Sequence, residues 1–173
     1  MSLRYGLLLY INCLASAQGK RWQGQCTHYA ATQSVTQSTM QIEEKPPFDT
    51  PYEWIGGEEK VQQLVARFYD LMDLEPGYKE LRAAHGSTLE DARQKLFWFL
   101  CGWLGGPDYY QERFGHPRLR MRHMPFSIGI QERDQWVACM DQAMGETGVP
   151  EALRTRLKAS FMNTADWMRN RGV

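Results

Sequence analysis

At 173 residues the chain is long enough for one substantial hydrophobic core and too short for two comfortable ones. Twenty basic and twenty acidic side chains leave it formally neutral, which excludes the broad cationic surface of a nucleic-acid binder. Four cysteines, at positions 13, 26, 101 and 139, form no C-x-x-C pair and no C-x-x-C-H element, which excludes a zinc clip and a covalently tethered cofactor.

Residues 1–39 are rich in Gln, Ser and Thr and lack any acidic side chain. Arg4, the apolar run Tyr5 to Leu14 and Ala15-Ser16-Ala17 imitate a secretion signal. The run is too short for a membrane span, contains Asn12, and would leave the polar stretch Gln18 to Thr39 unexplained. Residues 1–50 are therefore read as an N-terminal extension, disordered or partly a misassigned start with translation from Met40. Residues 51–173 are read as the folded domain. A cytoplasmic location follows, with export as the alternative.

Pro46, Pro47 and Pro51 predict an extended lead-in. Tyr52 to Ile55 form a brief helix that Gly56-Gly57 breaks, and Glu58-Glu59 open the next, where negative charge complements the helix dipole. Val61, Leu64, Val65, Phe68 and Met72 follow the spacing of one buried stripe. Tyr69 lies beside it, and on residue type alone is a tyrosine at the core edge with a wet hydroxyl.

Glu75-Pro76-Gly77 is a turn, and Tyr78 to Ala84 a short helix ending near His85. Ser87-x-x-Glu90 has the spacing of a capping box for a helix carrying Leu89, Ala92, Leu96, Phe99, Leu100 and Trp103 on one face. Gly105-Gly106-Pro107 ends it. Tyr109, Tyr110 and Phe114 mark a short helix, and two long ones follow. The first runs from Gln131 to Gly145 with Trp136, Met140 and Met144; the last begins at Pro150 with Leu153, Leu157, Phe161 and Met168. No strand and no membrane span is expected, and Cys101 and Cys139 fall in apolar helical patterns as free thiols.

Between the short helix at Tyr109 to Phe114 and the long one from Gln131 lies the basic run His116-Pro117-Arg118-Leu119-Arg120-Met121-Arg122-His123-Met124-Pro125-Phe126. The prolines disfavour helix at the residues before them, so His123 sits on a short terminated turn. Such a turn holds an imidazole at a fixed angle while three arginines supply local positive charge.

The ordered set Gly56-Gly57, Arg67-Phe68-Tyr69, Phe99-Leu100 with Gly105-Gly106-Pro107, Gly115-His116-Pro117-Arg118-Leu119-Arg120, Arg122-His123-x-Pro125-Phe126 and Glu132-Arg133-Asp134-x-Trp136 resembles the truncated haemoglobins, specifically group II. The resemblance covers Tyr52 to Arg171. It implies an all-α, globin-like two-over-two helical sandwich around non-covalent haem b. It further implies His123 as the iron ligand, with His116 as the competing candidate. Tyr69, His85 and Trp136 are placed around a small ligand on the opposite side, and Ala92, Leu96 and Phe99 on the covering helix. Arg122 and Lys95 are assigned to the haem propionates, with Arg118 and Arg120 bracing the turn.

Hydrogen-bond donors near a ligand that takes up electron density stabilise its negative charge. High oxygen affinity with slow release is therefore expected, and oxygen transport less so than redox chemistry on the bound ligand. That chemistry covers nitric oxide dioxygenation and the handling of peroxide or sulfide; CO would also bind. An external reductase or other electron donor is implied, because the chain carries no flavin or nicotinamide motif. The alternatives are a cofactor-free helical interaction module and, as a minor option, a zinc site from His85, His116 and His123.

Overall fold

Thr50 caps the first helix of the computed structural model, which describes residues 48–172. The expectations for the signal-like run, Met40, Pro46 and Pro47 fall on residues 1–47 and lie outside the described residues. Thr50 Oγ1 accepts from the Glu53 N–H at 3.2 Å, and Pro51 stands at the first helical position, where its missing N–H costs nothing. Helix α1 (Pro51–Ile55) then stops at Gly56, whose φ of 108° is open to glycine but strained for other residues.

Helix α2 (Gly57–Leu74) buries Val61, Leu64, Val65, Phe68 and Met72 as predicted, together with Leu71 and Tyr69. A 3-10 turn (Pro76–Tyr78) leads into α3 (Lys79–Ala83). Helix α4 (Glu90–Trp103) follows, then α5 (Tyr109–Phe114), α6 (Leu119–His123), α7 (Ile130–Glu146) and α8 (Glu151–Met168). There is no strand among the described residues.

Helix α2 packs on α4 and on α7, and α7 packs along α8. These are the two helix pairs of a two-over-two sandwich. Phe68, fully buried, lies where the pairs meet: its ring is 5.1 Å from Tyr69 and 5.4 Å from Trp136. Burying a side chain of this size contributes about 1.5–3 kcal/mol, so this ring anchors the cross-layer contact. The turn after α4 is clamped to α1. The Tyr52 N–H donates to the Leu104 carbonyl at 3.0 Å, and a Cβ at Gly106 would come within 2.6 Å of the Tyr52 ring. Only glycine lets that ring approach.

One predicted cap does not form. Leu89 occupies the N-cap of α4 and no side chain caps that end, so the Ser87-x-x-Glu90 box is not made. The cause is Arg82. Its guanidinium pairs with Asp73 at 2.7 Å and draws in the carbonyls of Gly86 (2.9 Å) and Ser87 (3.3 Å), fixing this loop from α3 instead. At α7, Glu132 closes the entry, accepting from the Gly129 N–H at 2.8 Å. Arg133, 18% exposed, ties α7 to α8 through Asp166 and also binds Asp134 at 2.8 Å.

Candidate functional site

His123 is the last residue of α6, and its Nδ1 lies 2.7 Å from the Leu119 carbonyl oxygen one turn earlier. A carbonyl can only accept, so Nδ1 carries the proton. In the neutral ring Nε2 then holds the free lone pair, the arrangement required of an imidazole that ligates a metal. The chain builds this short helix under strain: Arg118, its N-cap, has φ 43° and ψ 49°, a left-handed conformation that costs a side-chain-bearing residue on the order of 1 kcal/mol.

What holds the strained turn was not legible in the basic run itself. Arg120 reaches across to the Trp167 carbonyl and, at 3.2 Å, to that of Arg169. Asn170 donates through Nδ2 to the His123 carbonyl at 3.0 Å and the Phe126 carbonyl at 2.7 Å, and its Oδ1 accepts from the Ile128 N–H at 3.1 Å. The end of α8 thus fixes both flanks of His123. Sequence reasoning missed Asn170, whose only signal was a lone amide at the close of an amphipathic helix.

Tyr69, Trp136 and His85 come together from α2, α7 and the loop after α3. Phe68 sits between Tyr69 and Trp136, and the His85 ring stands edge-on to Tyr69 at 6.0 Å. Tyr69 is 4% exposed, so the wet core-edge hydroxyl expected on residue type gives way to a buried one. Burial raises its phenol above the usual range, opposed by Arg93 and reinforced by Asp91 and Cys139; it is a neutral donor at every physiological pH. Among the described residues the fully buried side-chain polar atom left without a partner is Arg169 Nε, so neither the Tyr69 hydroxyl nor the Trp136 indole N–H is an orphaned buried donor.

His85 is held differently. Its Nδ1 lies 2.9 Å from the Leu81 carbonyl, so the neutral ring presents Nε2 as an acceptor and donates there only when protonated. Burial is the main cause that lowers its pKa, against the Leu81 hydrogen bond; the charges of Arg82 and His123 lower it further. His85 and His123, from different elements, are therefore within electrostatic reach of each other.

Ala92, Leu96 and Phe99 line up along α4 with Phe97 and Trp103, packed against the core on one side and only half covered on the other. An apolar band left half covered on a core helix, in a fold whose His123 imidazole keeps a free lone pair, fits a flat apolar group carrying a metal. The predicted cations are placed less uniformly. Lys95 pairs with Asp91 at 2.6 Å on its own helix, and Arg122 donates to the Pro117 carbonyl at 3.1 Å with its guanidinium 5.9 Å over the Tyr110 ring.

His116 is exposed and accepts from the Arg118 N–H at 3.1 Å, which draws its ring into its own loop. Among the described residues no three His, Cys, Asp or Glu side chains cluster to hold a metal ion. Cys101 and Cys139 are free and buried, and burial pushes their thiols up to about 11 and about 12, so both are unreactive. No described helix is long and apolar enough to cross a membrane.

A two-over-two helical sandwich that carries one such histidine and this aromatic set defines a globin of the shortened type. The model of the bacterial-like globin family matches residues 50–170, and the chain belongs to that family. It is similar to the group 2 truncated hemoglobin YjbI of Bacillus subtilis, 40% identical over 123 residues that span 71% of this chain and 90% of that one. Among solved structures it resembles the group II 2-on-2 hemoglobin of Agrobacterium tumefaciens. That likeness has a TM-score of 0.70 at 41% identity over 73% of this chain and 98% of the other. It also resembles the truncated oxygen-avid haemoglobin of Bacillus subtilis, with a TM-score of 0.65 at 39% identity over 70% of this chain and all of the other. Membership implies haem binding and small gaseous ligands in general.

Proposed function

We propose that this globin holds haem b non-covalently, with His123 as its single protein ligand to iron, and binds dioxygen reversibly with high affinity. The observation that carries the reading is the 2.7 Å contact between His123 Nδ1 and the Leu119 carbonyl, which leaves Nε2 free and aims the ring through a turn clamped by Asn170 and Arg120. When bound, the haem would supply an iron able to take up a small ligand, with His123 as the residue that would hold it.

The rest is done by the chain. Ala92, Leu96 and Phe99 cover the macrocycle and exclude water, and the small side chain of Ala92 leaves the way in unobstructed. Arg122 is the stronger candidate to meet a propionate, since it has no carboxylate partner; Lys95 would first have to leave Asp91. The Tyr69 hydroxyl and the Trp136 N–H donate to the ligand as it takes up negative charge, each worth on the order of 1–2 kcal/mol. Neutral His85 accepts at Nε2 and orients whichever of these protons faces it. The oxygen-avid character named for the Bacillus subtilis relative supports the same direction.

Tight retention suits redox chemistry on the ligand better than oxygen transport: nitric oxide dioxygenation, or the handling of peroxide or sulfide, with one-electron reduction by an external donor in the cytoplasm. A cofactor-free interaction module is not favoured, because the chain belongs to a globin family. Titration of haem-free protein with hemin tests the reading. One equivalent saturates a Soret band in the wild type, and His123→Gly loses the band and regains it with added imidazole. A wild type that takes up no hemin, or a His123→Gly variant indistinguishable from it, contradicts the proposal.

A further inference from the structure

The outer side of α6 and the end of α8 form a second surface that the gas-binding reading leaves unused. Met121, Met124 and Trp167 are 56%, 56% and 59% exposed, and with Arg118 and Arg120 they line one groove. Single exposed apolar side chains are ordinary, but three large ones in one basic groove are an interaction surface. Between Glu112 and Glu132 the chain has no acidic residue, yet carries Arg113, Arg118, Arg120 and Arg122, in a protein whose total charge is zero.

No described carboxylate pairs with Arg118, Arg120 or Arg122. Asp166, the acid adjoining Trp167, is taken by Arg133 and Arg169. The groove is therefore a patch of unneutralised positive charge around an apolar centre. A second copy of the chain does not complement it, because a two-fold contact through this face sets arginine against arginine. A five-residue α6 is too short to lie in a lipid surface as an amphipathic helix.

We propose that this groove docks the acidic face of a small one-electron carrier protein that reduces the haem. Met121 and Met124 are two and one residues from His123 on the same turn, so a carrier seated here stands beside the ring assigned to the iron. One electron leaves the reduced carrier and converts ferric to ferrous iron; no bond is made or broken. The redox part rests on the haem reading above, whereas the docking face stands on its own exposure and charge. A small apolar centre with a charged rim favours fast, salt-sensitive, transient association.

The test uses the full haem-loaded chain and purified flavodoxin, an acidic flavin carrier, as the probe. Calorimetric binding is measured at about 20 and about 200 mM salt, where screening lengths differ severalfold. The expected result is binding that weakens about tenfold across that range, and that weakens a further tenfold or more in Met121→Glu/Trp167→Ala, with an unchanged Soret band. Reduction by flavodoxin slows in parallel while reduction by dithionite does not.

Undetectable flavodoxin binding, or binding indifferent to the double variant, overturns the proposal. So does binding to phosphatidylglycerol vesicles, or self-association, that the same variant abolishes in place of flavodoxin binding. Protein that lacks a Soret band yet binds flavodoxin through this groove supports the docking face and overturns the haem reading instead.

Discussion

Arg93 lies across the ring of Tyr69, its guanidinium carbon 5.8 Å from the ring centre, while the same group reaches Asp70 at 2.7 Å. The arginine comes from the covering helix α4 and the tyrosine and aspartate from α2, so one cation fixes the phenol between two elements. Tyr69 cannot swing toward solvent without breaking that contact. Tyr69→Phe and Trp136→Phe should each raise the oxygen dissociation rate by roughly tenfold, the kinetic equivalent of one lost donor. Stopped-flow displacement by CO checks this, and unchanged rates in both variants would show that the donors point elsewhere.

His85 gives the site a pH dependence with a definite sign. Its folded pKa lies below the ordinary 6.5, so between those two values the unfolded chain binds more protons than the folded one. The neutral ring's contribution to stability is present above 6.5 and is lost as pH falls below it. As pH falls on through the lowered folded value, the folded ring gains a proton at Nε2 and becomes a third donor. Oxygen dissociation should therefore be flat at 6.5 and above and slow only as pH falls through the lowered folded value, with the dependence absent in His85→Phe. Thermal melts and dissociation rates across that range check the two consequences separately.

Asn170 fixes both flanks of the His123 turn, and Asn170→Ala should remove about 2 kcal/mol of stability, the worth of its three partly exposed side-chain hydrogen bonds. In a domain of this size that lowers Tm by roughly 5 °C. A lower affinity for hemin should accompany it, because α6 loses its hold while His123 itself is intact. A variant with unaltered hemin affinity would show that the clamp serves stability alone.

Asp141 joins the last two long helices through Arg154 and Lys158, each at 2.7 Å. The Arg154 hydrogen bond, then that of Lys158, holds its carboxyl below the ordinary 3.8. The stabilisation is present above that value and lost as pH falls through the lowered one. Its side chain is 16% exposed and its partners more so, so solvent screening limits the effect of Asp141→Asn to about 1 kcal/mol at neutral pH. The gap between wild type and variant in denaturant melts should close in acid.

The long helices were readable because each has a continuous apolar stripe; that of α2 appears in the fold residue for residue. The same holds for His123, whose flanking prolines set the short turn. Features governed by a distant side chain were not readable. Arg82 overrides the cap that Ser87 and Glu90 spell out, and Asn170 reaches back over forty residues to hold a turn whose own sequence gives no reason to be rigid. Lys95 has a local partner that its sequence did announce: Asp91, four residues earlier, pairs with it on the same helix.

The absorbance spectrum of the purified, dithionite-reduced protein before and after carbon monoxide bears most directly on whether His123 holds an iron. The wild type should show a Soret band that sharpens and shifts with carbon monoxide, reporting one protein ligand and one open position, and His123→Ala should show neither. Colourless protein that ignores added hemin, or a His123→Ala spectrum identical to that of the wild type, would contradict the account.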